Sequence, residues 1–132
     1  MPEAPFSPTG QVFKLEQLDS FYDVPGEYDW VMEDGEYGFE SLSLIITETH
    51  PGGGPPLHTH ETEESHVLLE GKVTYVSGDS TFSAEGPYVL RVPAGVPHTF
   101  INQGDSPFNI IAALPSRRIS YNELGPNPLL EE

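Results

Sequence analysis

Three of the five histidines lie close together, in the segment HTHETEESH at positions 58–66. His58 and His60 are one residue apart, so in an extended chain both side chains project from the same face. Glu64 follows at the start of a stretch with strand character. Imidazole and carboxylate groups together bind divalent transition metals, provided that the loop bends to bring them round. The segment therefore indicates a candidate metal site.

A fourth ligand would have to come from another part of the chain. His98 is the natural candidate, because it begins a predicted strand directly after the turn sequence PAGVP. An HxH pair in a loop is more often a solvated surface pair than a metal site. Spacing alone therefore leaves both interpretations open.

His66 occupies an unusual place in this pattern. Residues two apart share a strand face, so His66 faces the same side as Glu64, about 6.6–6.8 Å further along the strand. Three interpretations stay open: a packed, hydrogen-bonded histidine, a catalytic group above the metal, or a further ligand through a strand irregularity. Histidine suits proton transfer because its unperturbed pKa lies near neutrality, so the catalytic hypothesis rests on His66. His50, outside this segment, is interpreted as a surface residue.

The composition excludes several kinds of site and partner. No cysteine is present, which excludes disulfides, thiolate zinc sites, iron–sulfur clusters and cysteine nucleophiles. The net charge of −16 over 132 residues disfavours binding to nucleic acids and to anionic membranes. Neither a basic and apolar leader nor an apolar run of membrane-spanning length occurs. We expect a cytoplasmic protein that acts on a small molecule, with no nucleic acid and no membrane as partner.

Short strands must position these residues. The 14 prolines and 13 glycines argue against long helices and for many strands joined by tight turns. Apolar or alternating runs predict strands at 11–18, 27–33, 39–49, 64–70, 72–78, 80–86, 88–92, 98–104 and 108–114.

This pattern predicts an all-β sandwich or small barrel. A single domain is expected over residues 11–125, after a flexible arm at 1–10 and before a frayed tail at 126–132. The segment SRRISYNELG, at 116–125, is compatible with a short C-terminal helix.

Two motifs in the sequence resemble those of the cupin superfamily. The first, G-x5-H-x-H-x3-E-x6-G, runs from Gly52 to Gly71. The second appears as GPYVLRVPAGVPHTFIN, from Gly86 to Asn102, with six residues rather than five between Gly86 and Pro93. The resemblance covers about residues 40–114. Within the superfamily, the chain is most similar in pattern to the small single-domain bacterial cupins.

The resemblance implies a cupin jelly-roll β-barrel, or double-stranded β-helix, that holds one divalent transition metal. The family's ligand positions fall on His58, His60, Glu64 and His98. These ligand types do not distinguish Fe, Mn, Ni, Co and Zn. No residue is predicted to bind any other cofactor. The resemblance also implies a homodimer formed through sheet edges and N-terminal strands.

For function, the resemblance favours a metal-dependent enzyme that acts on a small oxygenated or enolisable molecule. A dioxygenase-type reaction is the first hypothesis. The alternative is non-oxidative isomerase, polyketide cyclase or lyase chemistry with His66 as the acid or base. A third possibility is a non-catalytic cupin that binds a metabolite, against which the complete ligand set argues.

Overall fold

The computed structural model describes residues 9–130 and is built almost entirely of β-strands. A 3-10 turn at Leu15–Gln17 and one helix, Asp34–Tyr37 (α1), are the described helical elements. The strands are Phe21–Val24 (β1), Glu27–Met32 (β2), Ser43–Thr49 (β3), Leu57–Thr59 (β4), Glu64–Leu68 (β5), Lys72–Ser77 (β6), Ser80–Glu85 (β7), Tyr88–Val92 (β8), His98–Asn102 (β9), Ile111–Leu114 (β10) and Asn122–Gly125 (β11).

Two antiparallel sheets pack against each other. The first has the order β1-β2-β3-β10-β5-β8 and the second the order β11-β4-β9-β6-β7. Side chains from both sheets form one apolar core, made of Leu68, Val73, Tyr75, Phe100, Phe108 and Ile110. The predicted all-β jelly roll is therefore confirmed.

The helix considered for 116–125 is wrong, because the end of this segment forms β11. β11 pairs with β4, with Asn122 opposite Thr59 and Glu123 opposite His58. β4 would otherwise be an edge strand with unpaired backbone groups, and pairing satisfies them. Tertiary pairing has overridden the weak local preference of this segment.

The strand predicted at 11–18 is also wrong. A single 3-10 turn occupies Leu15–Gln17. The segment ends against β2, where the indole of Trp30 donates a hydrogen bond of 3.3 Å to the carbonyl of Leu18. It covers the outer face of the first sheet and adds no strand to it.

The inward-facing side chains of β2 and β3, in the first sheet, are more polar than expected for a core. Glu27, Asp29, Thr47 and Thr49 are buried. Thr47 lines a cavity between the sheets together with Glu27, Asp29 and Ile45. The polar face of these strands therefore points inward, towards this cavity.

The predicted arm at 1–10 lies almost wholly outside the described residues. The fraying expected at 126–132 does not extend to Asn127, which is buried and donates a hydrogen bond of 2.9 Å to the carbonyl of Phe100. Within residues 9–130, no helix is long and apolar enough to cross a membrane.

Candidate metal centre

The four predicted ligands come together from three strands and one loop. His58 on β4 lies directly opposite His98 on β9. His60 follows β4, and Glu64 begins β5. The imidazole centroids of His58 and His98 are 4.4 Å apart, and those of His58 and His60 are 4.9 Å apart. All four side chains are buried, with exposed fractions of 7% or less.

Backbone carbonyls fix the tautomers of three of these histidines. The Nδ1 atom of His58 lies 2.7 Å from the carbonyl oxygen of Pro56. Equivalent contacts join His60 to Ser120 at 2.6 Å and His98 to Val96 at 2.9 Å. A carbonyl oxygen only accepts, so each Nδ1 carries the proton and donates it. In the neutral ring, each Nε2 is then left with a bare lone pair.

These bare nitrogens meet a carboxylate oxygen in the interior. Nε2 of His98 lies 2.9 Å from Oε1 of Glu64, and Nε2 of His60 lies 3.6 Å from the same oxygen. None of these three atoms has a hydrogen-bond partner, and all are buried. Lone pairs that converge without a proton between them repel one another, and a shared cation removes this repulsion. The residues therefore fit a divalent metal bound by three imidazoles and one carboxylate.

The local pKa values support this charge state. Burial, followed by the proximity of His98, lowers the pKa of His58 to about 4. Burial also lowers the pKa of His60. For Glu64, burial acts in the opposite direction, but the hydrogen bond from His66 favours the carboxylate and the pKa is lowered. At neutral pH, His58 and His60 are therefore neutral ligands and Glu64 is an anionic one.

His66 differs from the other three in its hydrogen bonding. Its Nε2 atom lies 3.2 Å from Oε2 of Glu64, and its Nδ1 atom lies 3.1 Å from the hydroxyl of Tyr75. The Tyr75 hydroxyl is in turn 2.7 Å from that of Tyr88. In the tautomer that matches these partners, Nε2 donates to Glu64 and Nδ1 accepts from Tyr75. His66 then orients Glu64, as outer hydrogen-bond partners of metal ligands do.

His66 also belongs to a second possible ligand set. One ligand atom from each of Glu64, His66 and His98 lies within 4.8 Å of the others, as is true of His58, His60 and His98. The catalytic role expected for His66 stays a prediction. His50 lies away from both sets, with a side chain 41% exposed and paired at 3.0 Å with Glu48.

A cavity of about 60 Å³ adjoins the candidate ligands. Three carboxyl-bearing residues, Asp23, Glu27 and Asp29, line it on the side of β1 and β2. Most of the other lining side chains outside the histidines and Glu64 are apolar. Tyr121 also lines the cavity, with its ring stacked on His58 at a centroid distance of 5.0 Å. In the described part of the chain, no lysine or arginine lines this cavity.

Sequence reasoning missed several residues of this site. Glu27 and Asp29 alternate with Tyr28 and Trp30, but nothing in the sequence tells which face of β2 points inward. The carbonyl of Ser120 that fixes His60 is 60 residues away, and backbone groups leave no trace in a sequence pattern. The one sequence feature that could have pointed to this part of the site is Tyr121 in SRRISYNELG, because its ring lines the cavity.

Sequence comparison identifies the family of this chain. A model of the cupin domain matches residues 45–114, more than half of the 132 residues. The chain is a cupin. The match includes all four candidate ligands and His66, in agreement with both sequence motifs. No curated protein matches the chain in sequence.

Solved cupin structures share this fold. The oxalate decarboxylase of Lactobacillus farciminis in its formate complex is similar, with a TM-score of 0.77 and 22% identity over 92% of this chain and 39% of that one. The Bacillus subtilis oxalate decarboxylase at pH 4.6 has a TM-score of 0.77 and 19% identity, over 92% of this chain and 35% of that one. This cupin therefore spans little more than a third of those chains, and at these identities the likeness concerns the fold.

Proposed function

We propose that this cupin is a metal-dependent enzyme that transfers protons to or from a small oxygenated or enolisable molecule. The observation that carries this proposal is the convergence of unpartnered atoms of His60, Glu64 and His98 beside a cavity. A divalent metal bound there would supply a Lewis acid that stabilises negative charge on a substrate oxygen.

A chain of hydrogen bonds beside the ligands supports proton transfer. His66 lines the cavity and connects Glu64 to the hydroxyls of Tyr75 and Tyr88. In the tautomer given above, the donors point from the tyrosine hydroxyl through His66 to Glu64, so the chain is oriented to deliver a proton towards the candidate ligands. It favours isomerase, cyclase or lyase chemistry with His66 as the acid or base.

The size of the cavity favours a small substrate. A cavity of about 60 Å³ has room for a few water molecules, so a flavonol or polyketide would require the lining to move. A keto acid or small diketone needs less space. The decarboxylases with the same fold act on oxalate, but no cationic side chain lines the described cavity to hold a second carboxylate.

A dioxygenase-type reaction is the second candidate. The apolar lining of the cavity by Ile45, Phe100, Ile110 and Ala112 favours it, because dioxygen is small and apolar. The same metal ligands would serve either reaction, and the two differ in whether oxygen is consumed.

The test is a parallel assay of both reactions. Protein loaded with Mn(II) or Fe(II) is incubated in D2O with pyruvate, acetylacetone or catechol, while NMR follows proton exchange and an electrode follows oxygen. We expect exchange faster than in the His98→Ala variant, without oxygen uptake. Oxygen uptake without exchange would favour the dioxygenase. Neither reaction at full metal content would contradict enzymatic function and favour metabolite binding.

A further inference from the structure

Two buried carboxyl groups line the side of the cavity formed by β2. Glu27 and Asp29 are two residues apart on this strand, and both line the cavity. They are 1% and 8% exposed. Thr49 donates a hydrogen bond of 2.6 Å to Oε1 of Glu27 and fixes its position. Burial raises the pKa of both carboxyl groups, which favours a proton on one of them.

One oxygen of this pair has no partner. Oδ1 of Asp29 is buried and accepts no hydrogen bond. A buried acceptor without a donor destabilises the folded protein. Because Asp29 lines the same cavity as His58, His60 and Glu64, a molecule bound there can supply the missing donor.

The groups around the pair make this side of the cavity unsuited to anions. Asp23 faces it from β1, Tyr121 directly precedes β11, and Glu123 lies on β11. β3 contributes only the hydroxyls of Thr47 and Thr49. Burial first, and then the proximity of Asp29, raises the pKa of Glu27, in agreement with a proton held on one of the two carboxyl groups.

We propose that the Glu27–Asp29 pair is the specificity-determining site of this cupin, where Asp29 Oδ1 accepts a hydrogen bond from a hydroxyl group of the substrate. The inference rests on the proposed function, because it assigns the far end of the same substrate. The ligand class is a hydroxylated molecule with at most one carboxylate. A second carboxylate would be repelled by the negative charge that the pair retains.

The experiment compares three ligands of equal carbon number on Mn(II)-loaded protein at pH 7. They are 3-hydroxypropionate, propionate and malonate, and their Kd values are measured through the change in water-proton relaxation by the bound Mn(II). We expect 3-hydroxypropionate to bind about 10- to 100-fold more tightly than the other two, as for a hydrogen bond to a charged group. In Asp29→Asn this preference should largely disappear, while Glu123→Gln, a nearby exposed charge, keeps it.

The outcomes separate this inference from the proposed function. Equal Kd values for propionate and 3-hydroxypropionate in the Mn(II)-loaded protein would overturn the hydroxyl site and leave the metal centre intact. Tighter binding of malonate than of 3-hydroxypropionate would have the same meaning. Failure of Mn(II) to bind would defeat the proposed function. Infrared spectroscopy of the metal-free protein then tests the pair itself: an un-ionised carboxyl band at pH 7 that Glu27→Gln abolishes is expected, and its absence in the wild type would refute the retained proton.

Discussion

The partner of each Nδ1 atom decides what each histidine does. Carbonyl oxygens hold the Nδ1 protons of His58, His60 and His98, so these rings present lone pairs to the interior. His66 faces a hydroxyl that can donate, and its Nε2 atom lies beside Glu64. Four imidazoles of one sequence thereby divide into three candidate metal ligands and one hydrogen-bond donor.

Substitution of His66 by phenylalanine tests its role. The aromatic ring fills the same space, so we expect the fold and most of the metal to remain. Turnover should fall by about 10²–10⁴, the usual contribution of a positioned acid or base. Metal content, melting temperature and turnover are measured together. Unchanged turnover would show that His66 only packs, and loss of the metal would show that it is a ligand.

Stability should depend on pH through the Glu27–Asp29 pair. Burial raises the pKa of both carboxyl groups in the folded state, so the folded protein retains protons that the unfolded chain releases. The free energy of unfolding therefore decreases as the pH rises above about 4.5, the pKa of Glu27 in the unfolded chain. In Glu27→Gln, the decrease in the free energy of unfolding between pH 5 and pH 9 should be smaller by about 2–4 kcal/mol, since each unit of pKa shift is worth about 1.4 kcal/mol.

Urea unfolding at several pH values measures this effect. The exposed Glu70→Gln substitution is the control, because it removes the same charge without the burial. Its stability curve should run parallel to that of the wild type. A Glu27→Gln curve that also runs parallel would argue against the buried proton.

At the scale of elements, three connections hold the candidate ligands in place. The PGGGPP loop leads into β4, and residues 53–56 of it are buried. β11 returns along β4 and brings the carbonyl of Ser120 to His60. Asn102 ties the end of β9 to the end of β3 by a hydrogen bond of 2.9 Å to the carbonyl of Thr49.

Gly54→Ala tests how closely the loop packs. A Cβ atom at Gly54 would lie 1.9 Å from the carbonyl oxygen of Phe100, so β4 and β9 would have to separate. We expect a loss of about 3 kcal/mol or more, at the upper end of overpacking effects, and weaker metal binding. Gly35→Ala is the matched control, because a Cβ atom there meets nothing within 4 Å. The melting temperatures of both variants are measured by thermal unfolding. Equal melting temperatures would contradict the packing argument.

Most strands could be predicted from the sequence because they depend on local spacing, and the cupin motifs supplied the four candidate ligands that the fold brings together. Residues two apart share a strand face, so Glu64 and His66 were correctly placed on one side of β5, and both are buried. The direction of each face could not be predicted. On β2 the polar residues Glu27 and Asp29 point to the cavity, a choice made by packing against distant strands. β11 was missed for the same reason, because its pairing partner β4 is about 60 residues away.

At the scale of the molecule, the outer face of the first sheet carries exposed apolar side chains. Val89 is 71% exposed and Ile111 38% exposed, and both lie beside Val67 on neighbouring strands. Apolar patches of this kind mark protein interfaces. The homodimer expected from the resemblance stays a prediction, and this face is one place where two copies can meet.

Light scattering tests the dimer. We expect a particle of twice 14.5 kDa at micromolar concentration, and dissociation of this particle in Val89→Lys. Leu124→Lys, which changes an exposed residue on the other sheet, should leave the mass unchanged. A wild-type mass of 14.5 kDa would refute the dimer.

The central claim is that the three imidazoles of His58, His60 and His98 and the carboxylate of Glu64 bind a metal. Elemental analysis of protein purified without added metal tests it most directly, with His58→Ala and His98→Ala purified in parallel. We predict close to one transition metal per chain in the wild type. The variants should lose most of it, since loss of a direct ligand should cost more than the roughly 10- to 100-fold typical of outer hydrogen-bond partners. Full metal content in both variants would contradict this account of the site.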